Sequence, residues 1–578
     1  MSLADNDRIT PTGEKLLWLN KQLSRFVALK MFIKGIRAWL FYFLRVKKFS
    51  RSVCETKNRP EMREKRVLFA TGIPQDFGPV AFETLLAALL TNLGHTPVFW
   101  FCEKPEFCNL YNYKTLGGRL SSFISNDKSS PLCMACKMSP TRQLAKSGFH
   151  VASASNPKLP PELITKLKSI DAEHLCDGYY FSFGMDYGLP MLDCIAQHAR
   201  AAAIKFFAIS KLDENKKNHV EILRRTFLAA VGYYQELLAV ISSERITTVV
   251  VNHGIYVPQG IVVEAAKQSG ADIVCWNLGY RRSTFILSHN QSYHFEMMSE
   301  PHEYWNTHHL NKAKKKWILE YLESRRSGER DWLTFQVSRL IDDPAYALRQ
   351  LQSEFEKTVA VYSNVGWDAQ LHFQDNVYSN MEDWLWSVGE AAVSRPNMLF
   401  VVRTHPAETR GVLPSNEPAE GIVDAIIEKL NLKNLKVIGP ESFLTSYDVA
   451  DYADLALVYG SKIAIELAPF LPVVVCGEAW VRNKAFTYDV RSRVQMLQYI
   501  DTIDKANYPE TRKSLALKYA YYIFKQKFID VRSMQITKEH YPPFTLPTNI
   551  TANDLANDAG LMAIAKGIIY GTPFHYDL

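Results

Sequence analysis

Short apolar runs alternate with segments of helical spacing in the first half of the chain. The apolar run KRVLFATGI, which begins at Lys65, is followed by the helical pattern GPVAFETLLAALLTNLGH and by a second apolar run, TPVFWFC. The same order returns where a strand over 247–251 leads through a loop and a helix to a strand over 272–276. Repeated strand–helix–strand units predict a parallel sheet covered by helices, which is an α/β fold.

The same alternation restarts in the second half. The polar segment ESRRSGERD, Glu323 to Asp331, is interpreted as the exit from the first domain. The predicted strands after it are TVAVYSNV, NMLFVVR, LKVIG, DLALVYG and PVVVCG, separated by helices. A final helix begins at the possible N-cap Thr551. We therefore predict an N-terminal extension (1–60), a first Rossmann-like domain (61–335), a second Rossmann-like domain (336–545) and a C-terminal helical segment (546–578), with a central cleft between the two domains.

The bulk composition is that of a folded globular protein. The chain has 578 residues, of which 47% are hydrophobic and 22% charged, and a formal net charge of +7. This length favours two large domains over a single core. The mild positive charge suits an anionic ligand or an acidic membrane surface, and no segment resembles a nucleic-acid-binding motif. Nine cysteines in so long a chain do not make a disulfide scaffold and favour a reducing, cytoplasmic compartment.

The N-terminal extension contains the basic, aromatic-rich segment MFIKGIRAWLFYFLRVKKFSR. Its uncharged run is much shorter than the ~20 apolar residues that cross a bilayer, and no small-residue cleavage site for a signal peptide follows it. Trp39, Phe43 and Val46 share one helical face beside several cations. The segment either lies on the inner face of the cytoplasmic membrane or packs against the first domain.

Three polar clusters follow predicted strands of the second domain, and parallel strands place them at one edge of the sheet. As donor-nucleotide contacts we select Arg403, His405, Glu408, Ser461, Lys462 and Glu466. Arginine, histidine and a serine at a helix start suit a phosphate, and a carboxylate suits ribose hydroxyls. Taken singly, Ser461 is a plain N-cap and Glu466 a solvated helix residue. As part of a sugar pocket we select Asn364, Trp367 and Asp368. Alternatively, Trp367 is a core aromatic residue and Asp368 is a helix cap.

The first half offers candidates of a different kind. Arg281 and Arg282 belong to a basic, histidine-rich loop region that also contains His289, Tyr293 and His294, and we expect these arginines to line the sugar pocket. The candidate catalytic residues are Asp76, Asp186 and His253. Either aspartate can serve as general base for an attacking hydroxyl, although aspartates in such positions are often caps or turn residues.

Four cysteines form a separate cluster, with Cys102 and Cys108 in a C-x5-C pair and Cys133 and Cys136 in a C-x2-C pair. They form part of a structural zinc or iron–sulfur site, or a plain thiol cluster, since the first spacing departs from that of a zinc ribbon. No metal is expected among the catalytic groups.

The segments NVGWDA, RTHPAETR and YGSKIAIELAPFLPVVVCG, with NHGIYVPQG and GYRRSTF upstream, resemble the bacterial capsule polysaccharide biosynthesis family, which includes the capsule Kdo transferases. The resemblance covers roughly residues 65–500. It implies a GT-B fold, with a nucleotide-sugar donor held mainly by the second domain and its phosphate contacted by His405 and Ser461. It also implies a metal-independent glycosyltransferase, a C-terminal helix that returns to the first domain, and a glycan or lipid-linked glycan as acceptor.

A CMP-sugar is the favoured donor, and a bacterial surface or capsular polysaccharide is the expected product. No residue matches a catalytic acid of the Kdo transferases, which leaves the sugar and the stereochemical outcome open. Two alternatives remain: a CDP-polyol phosphotransferase of teichoic-acid type, and a non-catalytic protein for polysaccharide binding or export.

Overall fold

The structure is a computed structural model and describes residues 40–53, 64–73, 76–102, 144–152, 161–169, 189–307, 309–332, 346–369, 376–411, 413–537 and 542–575. Two sheets organise these residues. The first has seven strands in the spatial order β13-β6-β5-β4-β1-β2-β3. Its strands are β1 (Arg66–Gly72), β2 (Thr96–Phe101), β3 (His150–Val151), β4 (Thr248–Asn252), β5 (Asp272–Leu278), β6 (Thr284–His289) and β13 (Ile529–Asp530).

The second sheet has six strands in the order β12-β11-β10-β7-β8-β9. All its strand pairs are parallel. Its strands are β7 (Lys357–Tyr362), β8 (Met398–Arg403), β9 (Leu435–Ile438), β10 (Leu455–Val458), β11 (Val473–Val475) and β12 (Tyr488–Asp489). A small antiparallel ladder joins β14 (Gln535–Ile536) to β15 (Phe544–Thr545). The two main sheets with their helices form two Rossmann-like α/β units that face a cleft, which confirms the fold predicted from the sequence.

Helices cover both faces of the two sheets. The helices in the first half are Lys47–Val53, Phe77–Asn92, Pro161–Ser169, Leu192–Phe207, Lys217–Ser243, Gln259–Ser269, Tyr293–Ser299, Glu303–Asn306 and Lys312–Ser327. Those in the second half are Tyr346–Gln352, Met381–Val393, Ala407–Arg410, Ala419–Leu430, Ser446–Asp451, Ile463–Leu467, Arg493–Thr502, Glu510–Tyr521, Ala552–Ala556 and Ala559–Tyr570. Two π-helical segments, Phe41–Val46 and Tyr522–Lys527, adjoin the helices that begin at Lys47 and end at Tyr521.

The central strands are apolar on both faces because both faces are covered by helices. In β1, Val67 and Phe69 enter one hydrophobic cluster, while Leu68 and Ala70 enter the cluster on the opposite face. The second sheet repeats this division, with Val359 and Val361 in one cluster and Ala360 in the other. The side-chain period of two residues in a strand explains why continuous apolar runs here are strands.

The last helical segment packs on the first domain. Leu561, Ile564 and Ile568 are fully buried in the cluster that contains Val67 and Phe82 of the first domain. The segment was predicted as one helix, but the structure divides it into two. Thr551 caps the first helix through the backbone N–H of Asp554, and Asp558 caps the second through that of Leu561.

One further expectation, for the region around His289, needs correction. The region around His289, predicted as a basic loop, forms the antiparallel strand β6 and the helix Tyr293–Ser299. Neither of these elements shows the β-α alternation, so neither was anticipated. Ile318 and Tyr321 of the helix Lys312–Ser327 belong to a hydrophobic cluster that contains Ile286 of the first sheet and Ala360 of the second, so the boundary between the two domains stays a prediction.

The described part of the N-terminal extension, 40–53, packs on the first domain. Val46, Phe49 and Val53 are fully buried. Val46 therefore does not lie on an exposed helical face, which membrane contact would require. Leu40 and Leu44 are 40% and 54% exposed on the opposite side. Trp39 lies outside the described residues. Among the helices that the structure describes, none is long and apolar enough to cross a membrane.

Candidate functional site

A cavity of about 870 Å³ lies between the carboxyl edges of the two sheets. In the first sheet the chain runs outward from β1 to β2 and β3 and then places β4 on the other side of β1. The second sheet does the same with β7, β8 and β9, followed by β10. Each sheet therefore has a topological switch point, where loops diverge and ligands bind in open α/β sheets. The two switch points face each other across the cavity, which we call the cleft.

Asp76 follows β1 and lies at the first-domain wall of the cleft. It occupies the N-cap position of the helix Phe77–Asn92, yet its carboxyl makes no capping hydrogen bond. Burial raises the pKa of Asp76 to about 7, against the lowering effect of Lys205. A carboxyl that is half-ionised near neutral pH suits a general base, and the structure thus places this candidate where a base is useful.

His253 follows β4 in a loop of unusual backbone conformation. His253 and Tyr256 have φ values of 67° and 68°, in the left-handed region that few non-glycine residues adopt. The Nδ1 atom of His253 is buried without a hydrogen-bond partner among the described residues. Burial, with a smaller contribution from Lys205, lowers the pKa of His253 to about 3, so the ring is neutral at physiological pH. The loop therefore presents a neutral imidazole to the cleft.

A hydrogen bond joins the two domains at the centre of the cleft. The hydroxyl of Tyr256 donates to Oδ1 of Asp368 at 2.7 Å and accepts from the backbone N–H of Ala369 at 2.8 Å. Lys205 Nζ lies 3.9 Å from the centroid of the Tyr256 ring. Burial alone would raise the pKa of Asp368, but Lys205, Lys462 and the hydrogen bond from Tyr256 bring it to about 2. Asp368 is thus a buried, ionised carboxylate stabilised by groups from both domains.

His405, Ser461 and Lys462 lie together on the second-domain wall, as predicted from their strand ends. The Nδ1 atom of His405 accepts from the backbone N–H of Ala407 at 3.1 Å. Burial, with Lys462 and Arg403 nearby, lowers the pKa of His405 to about 4, so the neutral ring carries its proton on Nε2. That nitrogen is then a hydrogen-bond donor.

Ser461 was expected to open a helix, but the helix Ile463–Leu467 is short and Lys462 occupies its N-cap position. The Ser461 hydroxyl makes no hydrogen bond with the part of the chain that the structure describes. Lys462 Nζ lies 5.1 Å from the centroid of the Trp480 ring. A hydroxyl and an ammonium group at the end of β10 are therefore available to an anionic ligand.

Two of the predicted donor contacts are already engaged within the protein. Arg403 donates to the backbone carbonyls of Ile438 and Gly439, at the end of the neighbouring strand. The carboxylate of Glu466 accepts from Arg325 at 2.8 Å and from the Tyr447 hydroxyl. Both residues line the cleft, but each would have to exchange a partner to bind ribose or phosphate.

The structure does not bring three predicted residues to the cleft. Glu408 accepts from the backbone N–H of Ala419 at the start of the helix Ala419–Leu430, so its carboxyl caps that helix. Arg281 donates to the backbone carbonyl of Phe528, and Arg282 donates to that of Asp331. These three residues stabilise the fold and do not line the cavity.

The remaining predictions divide between the cleft and the undescribed part of the chain. Asn364, Trp367 and Asp368 line the cleft, and Trp367 donates its indole N–H to Ser415 Oγ at 3.0 Å. Asp186 lies outside the described residues, as do Cys108, Cys133 and Cys136, and only Cys102 of the cysteine cluster is described. Within the described ranges, no group of three or more His, Cys, Asp or Glu residues could hold a metal ion.

Lys205, Tyr256 and Arg325 are cleft residues that the sequence analysis missed. Lys205 is the single charged residue in the run AAAIKFFAI, and a lysine in a run this apolar is a detectable signal. Arg325 lies in a charged segment that looks like a solvated linker, and its sequence context gives no sign of its role.

Comparison with known proteins gives little guidance. No family model and no curated protein matches the sequence. Sucrose-phosphate synthase from Thermosynechococcus elongatus is 8% identical, covering 80% of this chain and 95% of its own, with a TM-score of 0.28. The UDP-GlcNAc 2-epimerase from Neisseria meningitidis is 10% identical (80% and 96% covered, TM-score 0.24). MurG from Acinetobacter baumannii is 8% identical (80% and 95% covered, TM-score 0.25). Structural similarity this weak does not support an inference about function. The evidence for function is therefore the geometry of the cleft.

Proposed function

We propose that this protein is a glycosyltransferase that transfers a sugar from a nucleotide-activated donor, with a CMP-sugar favoured, to a glycan of a bacterial surface or capsular polysaccharide. One observation carries the proposal. The switch points of two parallel sheets face each other, and a carboxyl poised near neutral pH on one side opposes a hydroxyl, an ammonium and an imidazole N–H on the other. This is the distribution of groups that transfer between an acceptor hydroxyl and a phosphate leaving group requires.

In the proposed reaction the ionised carboxylate of Asp76 takes the proton of the acceptor hydroxyl. The acceptor oxygen bonds to the anomeric carbon as the bond from that carbon to the phosphate oxygen breaks. The electron pair leaves on the phosphate, where Ser461, Lys462 and His405 Nε2–H stabilise the negative charge. Because these donors belong to the protein, we propose that the transfer needs no metal ion.

A thermal-shift screen with CMP, CDP, UDP and GDP tests the donor assignment. Stabilisation by CMP above the other nucleotides supports a CMP-sugar. A product assay separates the two alternatives: a CDP-polyol phosphotransferase also releases CMP but transfers a phosphoalditol to the acceptor, and a binding protein releases no nucleotide from any donor. Absence of stabilisation by all four nucleotides contradicts the proposal.

We further propose that the N-terminal extension brings the enzyme to an anionic membrane surface. In the described helix, the exposed residues Leu40, Leu44, Lys48 and Arg51 recur at helical spacing opposite the buried residues. Exposed leucines beside cations suit an anionic lipid surface, where a lipid-linked acceptor would be found.

A further inference from the structure

Glu466 is a buried carboxylate in the wall of the cleft, and both of its oxygens have partners. Its side chain is 4% exposed and belongs to the short helix Ile463–Leu467, which follows β10. Oε1 accepts from Nη2 of Arg325 at 2.8 Å, and Oε2 accepts from the hydroxyl of Tyr447. Both partners line the cleft as well. A ligand that reaches Glu466 therefore competes with one of these two groups.

Arg325 ties this carboxylate to the first domain. Its other terminal nitrogen, Nη1, donates to Oδ2 of the buried Asp331. Asp331 pairs in a β-bridge with Arg281, which lies in the turn between β5 and β6, and its backbone carbonyl accepts from Nε of Arg282 at 3.1 Å. The guanidinium carbon of Arg325 lies 4.8 Å from the centroid of the Tyr280 ring. Groups of the first domain thus hold an arginine that contacts a carboxylate of the second.

The two partners of Glu466 are not equally easy to displace. Arg325 is a single cation between the buried carboxylates of Asp331 and Glu466, and moving it away from Glu466 would leave a buried charge unpaired, which is strongly destabilising. Burial raises the pKa of Tyr447 well above its ordinary value, so its hydroxyl stays protonated and donates. Exchange of that hydroxyl for a ligand hydroxyl replaces one neutral donor by another. Oε2 is therefore the oxygen that a ligand would take.

The position of Glu466 fits the ribose of a nucleotide whose phosphate lies at Ser461 and Lys462. Lys462 occupies the N-cap position, and Glu466 lies four residues further along the chain, ~6 Å along a helix axis. The vicinal hydroxyls of a ribose lie at a comparable distance from its 5′-phosphate. A carboxylate accepts from hydroxyl groups and repels a phosphate, so Glu466 suits the ribose.

We propose that Arg325 is a positioning residue for nucleotide recognition, which holds Oε1 of Glu466 in place while a ribose hydroxyl replaces Tyr447 at Oε2. This inference rests on the proposed function, which supplies the nucleotide at this wall. Arg325 acts through Glu466 and not on the ligand itself. The first domain thereby determines how the second domain recognises the ribose, through the buried side chains of Asp331, Arg325 and Glu466.

Titration calorimetry with CMP and 2′,3′-dideoxy-CMP tests the proposal on the full chain, and the same pair is made from CDP, UDP or GDP if that nucleotide stabilises the protein more. The ratio of the two affinities isolates the ribose hydroxyls, because both ligands carry the same phosphate and base. We expect a ratio of about tenfold or more, as for a hydrogen bond to a charged group. Arg325→Met should bring the ratio close to one. Arg325→Lys keeps the charge but loses the fork that reaches both carboxylates, so its ratio should be intermediate.

Two further variants separate positioning from a merely structural role. Tyr447→Phe removes the competing hydroxyl, so it should strengthen CMP binding by about twofold to tenfold and leave the dideoxynucleotide unaffected. Glu466→Gln should abolish the ratio, and adding Arg325→Met to it should change the ratio no further. The matched control is Arg395→Met. The Arg395 side chain is 11% exposed and pairs with Asp501 at 2.7 Å outside the cleft, so its loss should lower stability and leave the ratio intact.

An unchanged ratio in folded Arg325→Met and Arg325→Lys variants overturns the proposal. A Tyr447→Phe variant that binds CMP no more tightly than the unaltered protein overturns it too. If Arg325→Met does not fold, Arg325→Lys and Tyr447→Phe decide. A ratio near one in the unaltered protein, with nucleotide bound, shows that the ribose does not reach Glu466, and it removes this inference while the proposed function stands. Absence of binding by all four nucleotides removes both.

Discussion

The Tyr256 hydroxyl donates to the Asp368 carboxylate at 2.7 Å and joins the loop after β4 of the first sheet to the loop after β7 of the second. The contact lies where both switch points meet, with Lys205 beside the tyrosine ring. Burial by itself favours the neutral carboxyl. The interactions of Asp368 with Tyr256 and Lys205 therefore keep its carboxyl ionised in the folded protein. The hydrogen bond therefore connects domain packing to the charge of the cleft.

Replacing Tyr256 by Phe should lower the free energy of unfolding by about 1.5–3 kcal/mol, the range for a hydrogen bond to a charged group. The pKa of Asp368 is lowered from 3.8 to about 2 in the folded state, so its contribution is present above pH 4 and is lost as the pH falls towards 2. In Tyr256→Phe the folded-state pKa of Asp368 should lie closer to 3.8, so this loss should be smaller and should be complete at a higher pH. Urea unfolding between pH 2 and 6 measures both effects. Tyr280→Phe, in the same cleft, should behave like the unaltered protein.

Replacing Asp76 by Asn should reduce kcat by about 10²–10⁴-fold if Asp76 is the general base. In the unaltered enzyme kcat/KM should rise with pH through about 7, because the carboxyl must lose its proton to act. The control is Glu83→Gln. Burial raises the pKa of Glu83 to about 8, so the group is protonated at neutral pH and an amide replaces it with little change of charge. Nucleotide release measures both variants, and an unchanged pH profile in Asp76→Asn contradicts the assignment.

His405→Ala and Ser461→Ala should each weaken nucleotide binding by about 1–3 kcal/mol, since each removes a hydrogen bond to a phosphate oxygen. Titration calorimetry gives the affinity. Glu408→Gln serves as comparison because its carboxyl caps a helix away from the cavity. That change should lower stability and leave affinity intact. Unaltered affinity in both folded alanine variants would place the nucleotide elsewhere.

Ile564→Ala should destabilise the protein by about 2–5 kcal/mol, the cost of a cavity in a buried core. The loss should appear in unfolding of the first domain, since Ile564 packs among its residues. Lys566→Ala on the exposed side of the same helix should have little effect. Domain-resolved hydrogen exchange distinguishes this from destabilisation of the second domain, which would contradict the packing.

Leu44→Glu should reduce sedimentation with anionic liposomes at low salt, because it places a negative charge on the exposed face of the N-terminal helix. Its fold should persist, as the residue is 54% exposed. A chain that starts near Lys65 should lose liposome binding too, but it also loses the buried side chains of Val46 and Phe49. Failure of the full-length protein to bind such liposomes would show that the helix serves packing alone.

The sequence alone determined the layered α/β architecture, because strand and helix periodicities are local properties of neighbouring residues. It located most strands of both sheets within a few residues. It also identified Asp76, His405 and Ser461 as cleft residues, since parallel strands must end at a common edge. It did not find β6, because an antiparallel strand flanked by polar segments lacks the strand–helix alternation on which the prediction depends.

Only the tertiary structure decided which polar groups meet. Glu408 and Glu466 are both acidic residues just after a strand, yet one caps a helix and the other pairs with Arg325. Lys205 and Asp368 interact from different domains, far apart in the sequence. Burial and neighbouring charge together set the pKa values of the cleft, and both depend on the packing of distant segments. No local pattern carries that information, because side-chain partners at a domain interface are chosen by the fold as a whole.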